Sequence, residues 1–453
     1  MKKRHIHFIG IGGIGVSGIA HLVLKQGEEV SGSDIKESAI TRKLTSLGVR
    51  IFIGHRPENI EGADLVVYSS AIQPDNPEMA AARKMGIPIR KRAEFLSELM
   101  KDKKVITVTG AHGKTTTSSL ASKLLVSAGF HPTIAVGGIL CEDGDNAKLG
   151  QSDYFVAEAD ESDGTFLYYT PTYSIITNID CEHMDFYKTY DNLLNSFSVF
   201  VAQTKKEGCV IYYEGDDALK SIIAKSKVRA ITFGFSKQAD LYPENISLAQ
   251  CRLGFTCIKD GLKAGEVSLA LMGRHNILNA LAVIALGFEL GLDFDKIRSA
   301  LIGFRGVERR FQVKYEDRDV LIVDDYAHHP SEISVTIEAA KVCRRSRLFV
   351  VFQPHRYTRT KLLMDRFGAG FIKCDKLIIT DVYAAGEAPI EGASAQDLAQ
   401  RVRQDAKIPV EYIAKENLLD FLKKSVRQDD LVLFLGAGDI TKISDEFSKN
   451  FKK

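Results

Sequence analysis

Short apolar runs rich in β-branched residues alternate along this chain with longer segments whose apolar positions recur at helical spacing. That alternation predicts an α/β protein built on largely parallel sheets. Residues 5–9 (His-Ile-His-Phe-Ile) read as a strand. A helical pattern through Ile19, Ala20, Leu22, Val23 and Leu24 then stops at Gly27, and Val30–Asp34 reads as a second strand. Further strands are expected at Arg50–Ile53, Asp64–Ser69 and Ile87–Ile89, with helices near 36–47, 77–85 and 93–100. The charged stretch Lys101–Lys104 reads as a linker. After it come a strand at Val105–Thr109, a helix from Lys114, strands at 153–159 and from Ser174, a helix near 191–204 and a strand near 208–213. Residues 228–270 alternate like an antiparallel ribbon, and a strongly apolar helix opens at 273–280. Gly303–Phe311 is basic and glycine-bounded and reads as a hinge. A third α/β unit follows, with strands from Leu321, Leu348, Leu377 and Leu431. The expected division is 1–102, 103–304 and 305–453.

Composition narrows the class. A length of 453 residues suits about three domains. A net charge of +2 gives no basic field for nucleic acid. The seven cysteines are scattered with no C-x-x-C pair, which suits reduced thiols in the cytoplasm better than disulfides or a zinc site. Met1–Arg4 followed by apolar residues faintly resembles a secretion signal, but five glycines between Gly10 and Gly18 argue against an apolar signal helix. No uninterrupted run of 18 apolar residues appears, so no membrane span is expected. Monomer and homodimer both remain open.

The chemistry concentrates in Thr109-Gly110-Ala111-His112-Gly113-Lys114-Thr115-Thr116-Thr117, where a strand runs through a glycine loop into a helix. Gly110 and Gly113 let backbone N–H groups face an anion, and the helix start adds its free N–H groups and dipole. Lys114 would reach nucleotide phosphates and the Thr115 hydroxyl a Mg²⁺ ion. The pattern departs from the usual phosphate loop at Val108, where glycine is expected; the bland alternative is a glycine turn capped by threonines. A strand ending at Glu158 aims a carboxylate suited to Mg²⁺ beside this loop. His183 ends another strand-to-loop passage and suits either a second metal or a structural hydrogen bond. Asn276 and Asn279 fall on one face of a first helical turn, where amides could pair with an adenine edge or cap the helix.

The N-terminal Gly10-Ile11-Gly12-Gly13-Ile14-Gly15 is a G-x-G-x-x-G, with Asp34 placed 19 residues beyond Gly15 for a ribose hydroxyl. Taken alone it would suggest an NAD-dependent dehydrogenase, but it reports a helix-bound pyrophosphate, which UDP-sugars also carry. His55, Ser69 and Ser70 follow strand ends and are ligand contacts or turn residues. Arg356 and Arg359 suit planar recognition of a carboxylate or phosphate.

Taken in order, these motifs resemble the Mur ligase family across essentially the whole chain. The shared features are Gly10–Gly18, Ser31–Asp34, Ser69–Ile72 with Asp75–Glu78, Thr109–Thr117, Glu158–Asp163, Glu182–Asp185, His275-Asn276 with Asn279, Arg309–Phe311, Asp324–Pro330 and His355–Thr360. The resemblance implies a Rossmann-like N-terminal domain for the UDP-substrate, a central P-loop-type ATPase α/β domain and a Rossmann-like C-terminal domain for the amino acid. It implies ATP-dependent amide formation between L-alanine and the lactyl carboxylate of UDP-N-acetylmuramate through an acyl phosphate, in peptidoglycan precursor synthesis. ATP and Mg²⁺, with Mn²⁺ as a substitute, are the implied cofactors.

By the resemblance, Lys114, Glu158, His183 and Arg309 serve catalysis. Thr115 and Glu158 hold one metal and His183 another. Gly110 to Thr116, Asn276, Asn279 and Asp324 serve ATP. Gly12, Gly13, Gly15, Asp34, His55, Ser69, Ser70, Arg92 and Asn178 serve the UDP-substrate. Tyr326, His328, His355, Arg356 and Arg359 form the amino-acid pocket. Several sister ligases carry a carbamylated lysine on the helix after the His-Met-Asp segment; Leu193–Phe200 has none, which points away from those members. A tripeptide-adding recycling ligase and a P-loop switch ATPase are the remaining rivals.

Overall fold

The computed structural model describes residues 3–138, 146–249, 252–343 and 345–451. Cys141 and Cys251 lie outside them; the five cysteines described are free thiols. Three sheets follow one another along the chain. Residues 1–245, 255–267 and 277–304 form one compact unit and residues 246–254, 268–276 and 305–453 a second.

The first sheet comprises β1 (His5–Ile9), β2 (Glu29–Asp34), β3 (Arg50–Ile53), β4 (Leu65–Tyr68) and β5 (Ile89–Lys91), in the order β3-β2-β1-β4-β5 and all parallel. The order reverses at β1, so the loop Gly10–Gly15 sits where an open parallel sheet forms its ligand crevice. β5 starts two residues later than expected, because Pro88 has no N–H to donate and pairing begins beyond it. The helix expected near 36–47 is Ala39–Ser46, fixed at its start by Ser38, whose side chain accepts from Thr41 N. Gly32 has no room for a side chain: a Cβ there would lie 2.6 Å from Phe8 O.

The second sheet holds β6 (Lys104–Thr109), β7 (Thr133–Ala135), β8 (Ala147–Lys148), β9 (Tyr154–Glu158), β10 (Tyr173–Ile176), β11 (Cys209–Tyr213), β12 (Ala230–Phe233), β13 (Leu241–Ala249), β14 (Arg252–Lys259) and β15 (Leu262–Leu269). Parallel β6 lies between β9 and β10, so the order again reverses where the glycine loop leaves the sheet. The register sets Glu158 beside Val108. The ribbon expected over 228–270 is narrower than its alternation suggests. β12 is a parallel strand against β11, and only later residues form a meander, with Asp260 and Gly261 at φ 51° and 77° in the two-residue turn between β14 and β15. A half-buried strand alternates in the same way whichever direction its neighbour runs.

The third sheet comprises β16 (Gln312–Glu316), β17 (Val320–Asp325), β18 (Arg347–Phe352), β19 (Lys376–Ile379), β20 (Val410–Tyr412) and β21 (Asp430–Leu435), ordered β16-β17-β21-β18-β19-β20, with β16 the antiparallel edge. β17, β18 and β21 are buried almost throughout, hence their unbroken apolar sequences. No described helix is long and apolar enough to cross a membrane.

Candidate active site

The strand–loop–helix at 104–127 assembles a polar cluster in the first unit. The helix Lys114–Ser127 starts from Gly113 at φ 86°, and Gly110 sits at φ 122°; both conformations favour glycine. Asn178 clamps the loop: its Oδ1 accepts from His112 N at 3.0 Å and its Nδ2 donates to His112 O at 3.0 Å. Thr177 Oγ1 donates to the same carbonyl at 2.6 Å. Lys114 Nζ donates to Gly110 O at 2.9 Å and to Glu161 Oε1 at 2.8 Å. Burial works against the ammonium, but Glu161, Asp160 and Glu158 outweigh it and raise its pKa.

Glu158 accepts from Thr115 Oγ1 at 3.2 Å, Ser118 Oγ at 3.4 Å and Gly137 N at 3.0 Å. Thr115 and Glu158 therefore stand together as oxygen ligands suited to Mg²⁺. A buried oxygen, Glu161 Oε2, has no hydrogen-bond partner among the described residues, which also fits a cation there. His183 lies 3.7 Å from Glu161 Oε1 and 3.9 Å from Glu182 Oε2, in a left-handed conformation (φ 58°). His112, Asp180 and Glu182 bring one ligand atom each within 4.8 Å of one another beside the loop.

A cleft of about 350 Å³ in this unit is lined by Gly13, Gly15, Ser69, Arg92, Glu158 and Asp160 among others, joining the first glycine loop to the acidic end of β9. A Cβ on Gly15 would sit 3.3 Å from Arg92 Nη1, so the loop and the guanidinium lie close. Asp34 Oδ2 accepts from Gly12 N at 2.9 Å. That oxygen holds the loop, and Oδ1 accepts from Lys36 N at 3.5 Å. Ser70 is exposed. His55 Nδ1 lies 3.1 Å from Ser33 Oγ and 3.5 Å from Glu78 Oε1.

In the second unit, Arg309 is anchored: its Nη2 donates to Gly436 O and its guanidinium lies 4.9 Å from the Tyr326 ring centroid. Residues 303–311, expected to be a hinge, are fixed to this unit at their C-terminal end, since Tyr326 N also donates to Arg309 O at 2.7 Å. His328 lies edge-on to Tyr326 at 5.5 Å and 5.8 Å from His355, which stacks on Tyr383 at 5.6 Å. Arg359 Nη1 donates to His355 Nδ1 at 3.0 Å. Burial and then the Arg359 cation push the His355 pKa down to about 4. Arg356, at φ 68°, is exposed and donates from N to Tyr383 O at 2.8 Å. Asp324 is fully buried, bonded by Thr441 Oγ1 at 2.5 Å with Lys314 Nζ at 3.6 Å. Asn276 Nδ2 donates to Met272 O at 2.6 Å.

Residues 5–104 match the model of the Mur ligase family, catalytic domain, residues 108–287 the Mur ligase middle domain, and residues 309–438 the Mur ligase, glutamate ligase domain. The chain belongs to the Mur ligase family. A UDP-N-acetylmuramate–L-alanine ligase of Geotalea uraniireducens is 45% identical over 452 residues, spanning 100% of this chain and 99% of the relative. That of Anaeromyxobacter dehalogenans is 47% identical over 445 residues, spanning 98% and 97%. The crystal structure of a UDP-N-acetylmuramate-alanine ligase from Thermotoga maritima superposes with a TM-score of 0.86 at 32% identity, covering 99% of each chain. The three-domain α/β architecture is that of this Mur ligase.

Sequence reasoning found the loop and Glu158 but passed over Glu161, the acid that meets the loop lysine. Its only signal was its place in the acidic run 158–163. Asn178, expected near the sugar, spends both amide atoms on the His112 backbone. Asn279 sits against the loop: a Cβ on Gly113 would fall 2.6 Å from its Oδ1. Gly110 tolerates no Cβ either, since one would lie 2.7 Å from Asn178 O and 2.9 Å from Asn178 N. Gly110→Ala should therefore displace the loop and lower ATP-dependent turnover about 100-fold, with a stability loss of about 1–3 kcal/mol. Turnover and thermal unfolding measured together check this; wild-type values of both would refute it.

Proposed function

We propose that this Mur ligase joins L-alanine to the lactyl carboxylate of UDP-N-acetylmuramate with ATP, releasing ADP and phosphate, in cytoplasmic peptidoglycan precursor synthesis. Residues 1–102 bind the UDP-substrate, 103–304 bind ATP and 305–453 bind the amino acid. The observation that carries this reading is the Thr115–Glu158 pair beside Lys114, with Glu158 lining a cleft shared with the first glycine loop. Full-length identity of 45–47% to relatives bearing that activity supports it.

The chemistry assigns work to each group. A carboxylate is a poor electrophile, and phosphorylation gives it a leaving group. Bringing two anions together needs cations; Lys114 supplies one on the transferring phosphate and Arg309 another. Thr115 and Glu158 would hold one Mg²⁺ ion and His183 another, which would neutralise phosphate charge. Gly110 to Thr116 present N–H groups to the phosphates, while Asn276 and Asn279 meet the base and Asp324 acts from the ATP side. Gly12, Gly13, Gly15, Asp34, His55, Ser69, Ser70, Arg92 and Asn178 hold the UDP part. Tyr326, His328, His355, Arg356 and Arg359 hold L-alanine, an arginine taking its carboxylate. Its amine then attacks the acyl phosphate, and phosphate departs.

Phosphate release from ATP tests this directly. Release that requires both UDP-N-acetylmuramate and L-alanine is expected. A requirement for a tripeptide in place of alanine would move the chain to recycling, and no coupled release with any amine would overturn the ligase reading.

A further inference from the structure

Under the first sheet lies a carboxylate that none of the steps above uses. Glu78 is fully buried in the first turn of the helix Pro77–Met85. Among the described residues no lysine or arginine side chain is paired with it. Its oxygens are met instead by hydrogen-bond donors. Ser33 Oγ donates to Oε2 at 2.6 Å, and His7 Nε2 lies 3.3 Å from the same oxygen. Asn59 Nδ2 donates to Oε1 at 2.6 Å and Arg56 N at 3.3 Å. Behind His7 the chain continues: His7 Nδ1 is 2.8 Å from Ser31 Oγ, which is 2.7 Å from His5 Nε2.

A carboxylate can only accept, and this fixes every proton around it. The Ser33 hydroxyl proton is committed to Glu78, so Ser33 meets His55 Nδ1 with a lone pair. In neutral His55, Nδ1 must then carry the proton. Nε2 is left as an acceptor, with no partner among the described residues. The same logic makes His7 an Nε2–H tautomer that accepts from Ser31. Two relays thus converge on one buried charge, and the outer end of one is His55 at the carboxyl edge of β3.

We propose that Glu78 is a positioning residue: through Ser33 it holds His55 in the Nδ1–H tautomer, so that Nε2 accepts from a neutral donor of the uridine diphosphate substrate, a hydroxyl or the base N–H, not from a phosphate. This rests on the reading that the UDP part lies at this sheet edge. In Glu78→Gln, the Asn59 and Arg56 donors keep the amide oxygen. The amide NH₂ then faces Ser33, whose hydroxyl turns to donate to His55 Nδ1. His55 Nε2 becomes a donor pointing at a donor.

Two-bond proton–nitrogen spectra of the full chain labelled with [¹⁵N]histidine read the tautomer, with His55 assigned by its loss in His55→Gln. The expected result is Nδ1–H in the wild type and Nε2–H in Glu78→Gln. The KM for UDP-N-acetylmuramate should rise about tenfold in that variant, with kcat and the KM for ATP unchanged. An Nε2–H wild type overturns the proposal even if the variant fails to fold. So does a Glu78→Gln enzyme with unchanged KM, or with every kinetic constant damaged alike. Adding UDP-N-acetylmuramate to the wild type separates the two layers. Movement of the His55 signals supports the siting, whereas unmoved signals with the expected tautomer would overturn the siting of the UDP part and leave the relay standing.

Discussion

Lys114→Ala should lower coupled phosphate release by about 10³-fold, while the protein stays folded. The ammonium lies between Gly110 O and Glu161, at the start of the helix whose N–H groups face the loop. Its removal takes away the cation that bonds both the loop and Glu161. It also strands Glu161, a buried acid whose pKa burial already raises and which can take up a proton in response. A purely structural ion pair predicts something different. If Lys114 merely neutralised Glu161, then Lys114→Met combined with Glu161→Gln would restore turnover. The expected result is that this double variant recovers thermal stability relative to Lys114→Ala and recovers no turnover. Unfolding midpoints beside single-turnover phosphate release decide between the two, and recovery of turnover would remove Lys114 from the chemistry.

The loop was legible because its signals are local. Two glycines, a lysine and an apolar run constrain the backbone within a few residues, and the helix begins at Lys114 as its sequence indicates. Glu158 was legible because an apolar strand has only one carboxyl end. Two of its partners were not, since Ser118 and Gly137 reach it through the helix after β6 and the segment after β7. The closeness of Asn178 and Asn279 to the loop was not legible for the same reason. Both lie far along the chain from residues 110–113 and close to them in space. Glu78 was visible only as part of a motif, because its partners come from β1, β2 and residues 55–59, which only the strand order 3-2-1-4-5 gathers. In the second unit, arginines 356 and 359 were read as a pair, but the structure separates their surroundings: Arg356 is exposed and Arg359 is packed against His355.

That difference makes Arg359 the sharper probe of the amino-acid pocket. Arg359→Ala should raise the KM for L-alanine about 100-fold, the scale of a lost charge-assisted hydrogen bond to a carboxylate. The KM for ATP should stay near its wild-type value. The variant should also move a group that never touches ATP. His355 is held neutral by burial first and by the Arg359 cation second, with a pKa of about 4 against an ordinary 6.5. Without the cation its midpoint should rise, yet remain below 6.5 because burial and His328 persist. The sign for stability follows. A histidine depressed in the fold contributes stability above pH 6.5 that is lost as pH falls through about 4. The wild type should therefore lose more stability than Arg359→Ala between those values. An altered KM for ATP with an unmoved His355 titration would place Arg359 outside the pocket. A moved titration with an unchanged KM for alanine would leave Arg359 beside His355 but assign the carboxylate to another cation, with Arg356 the nearest in sequence.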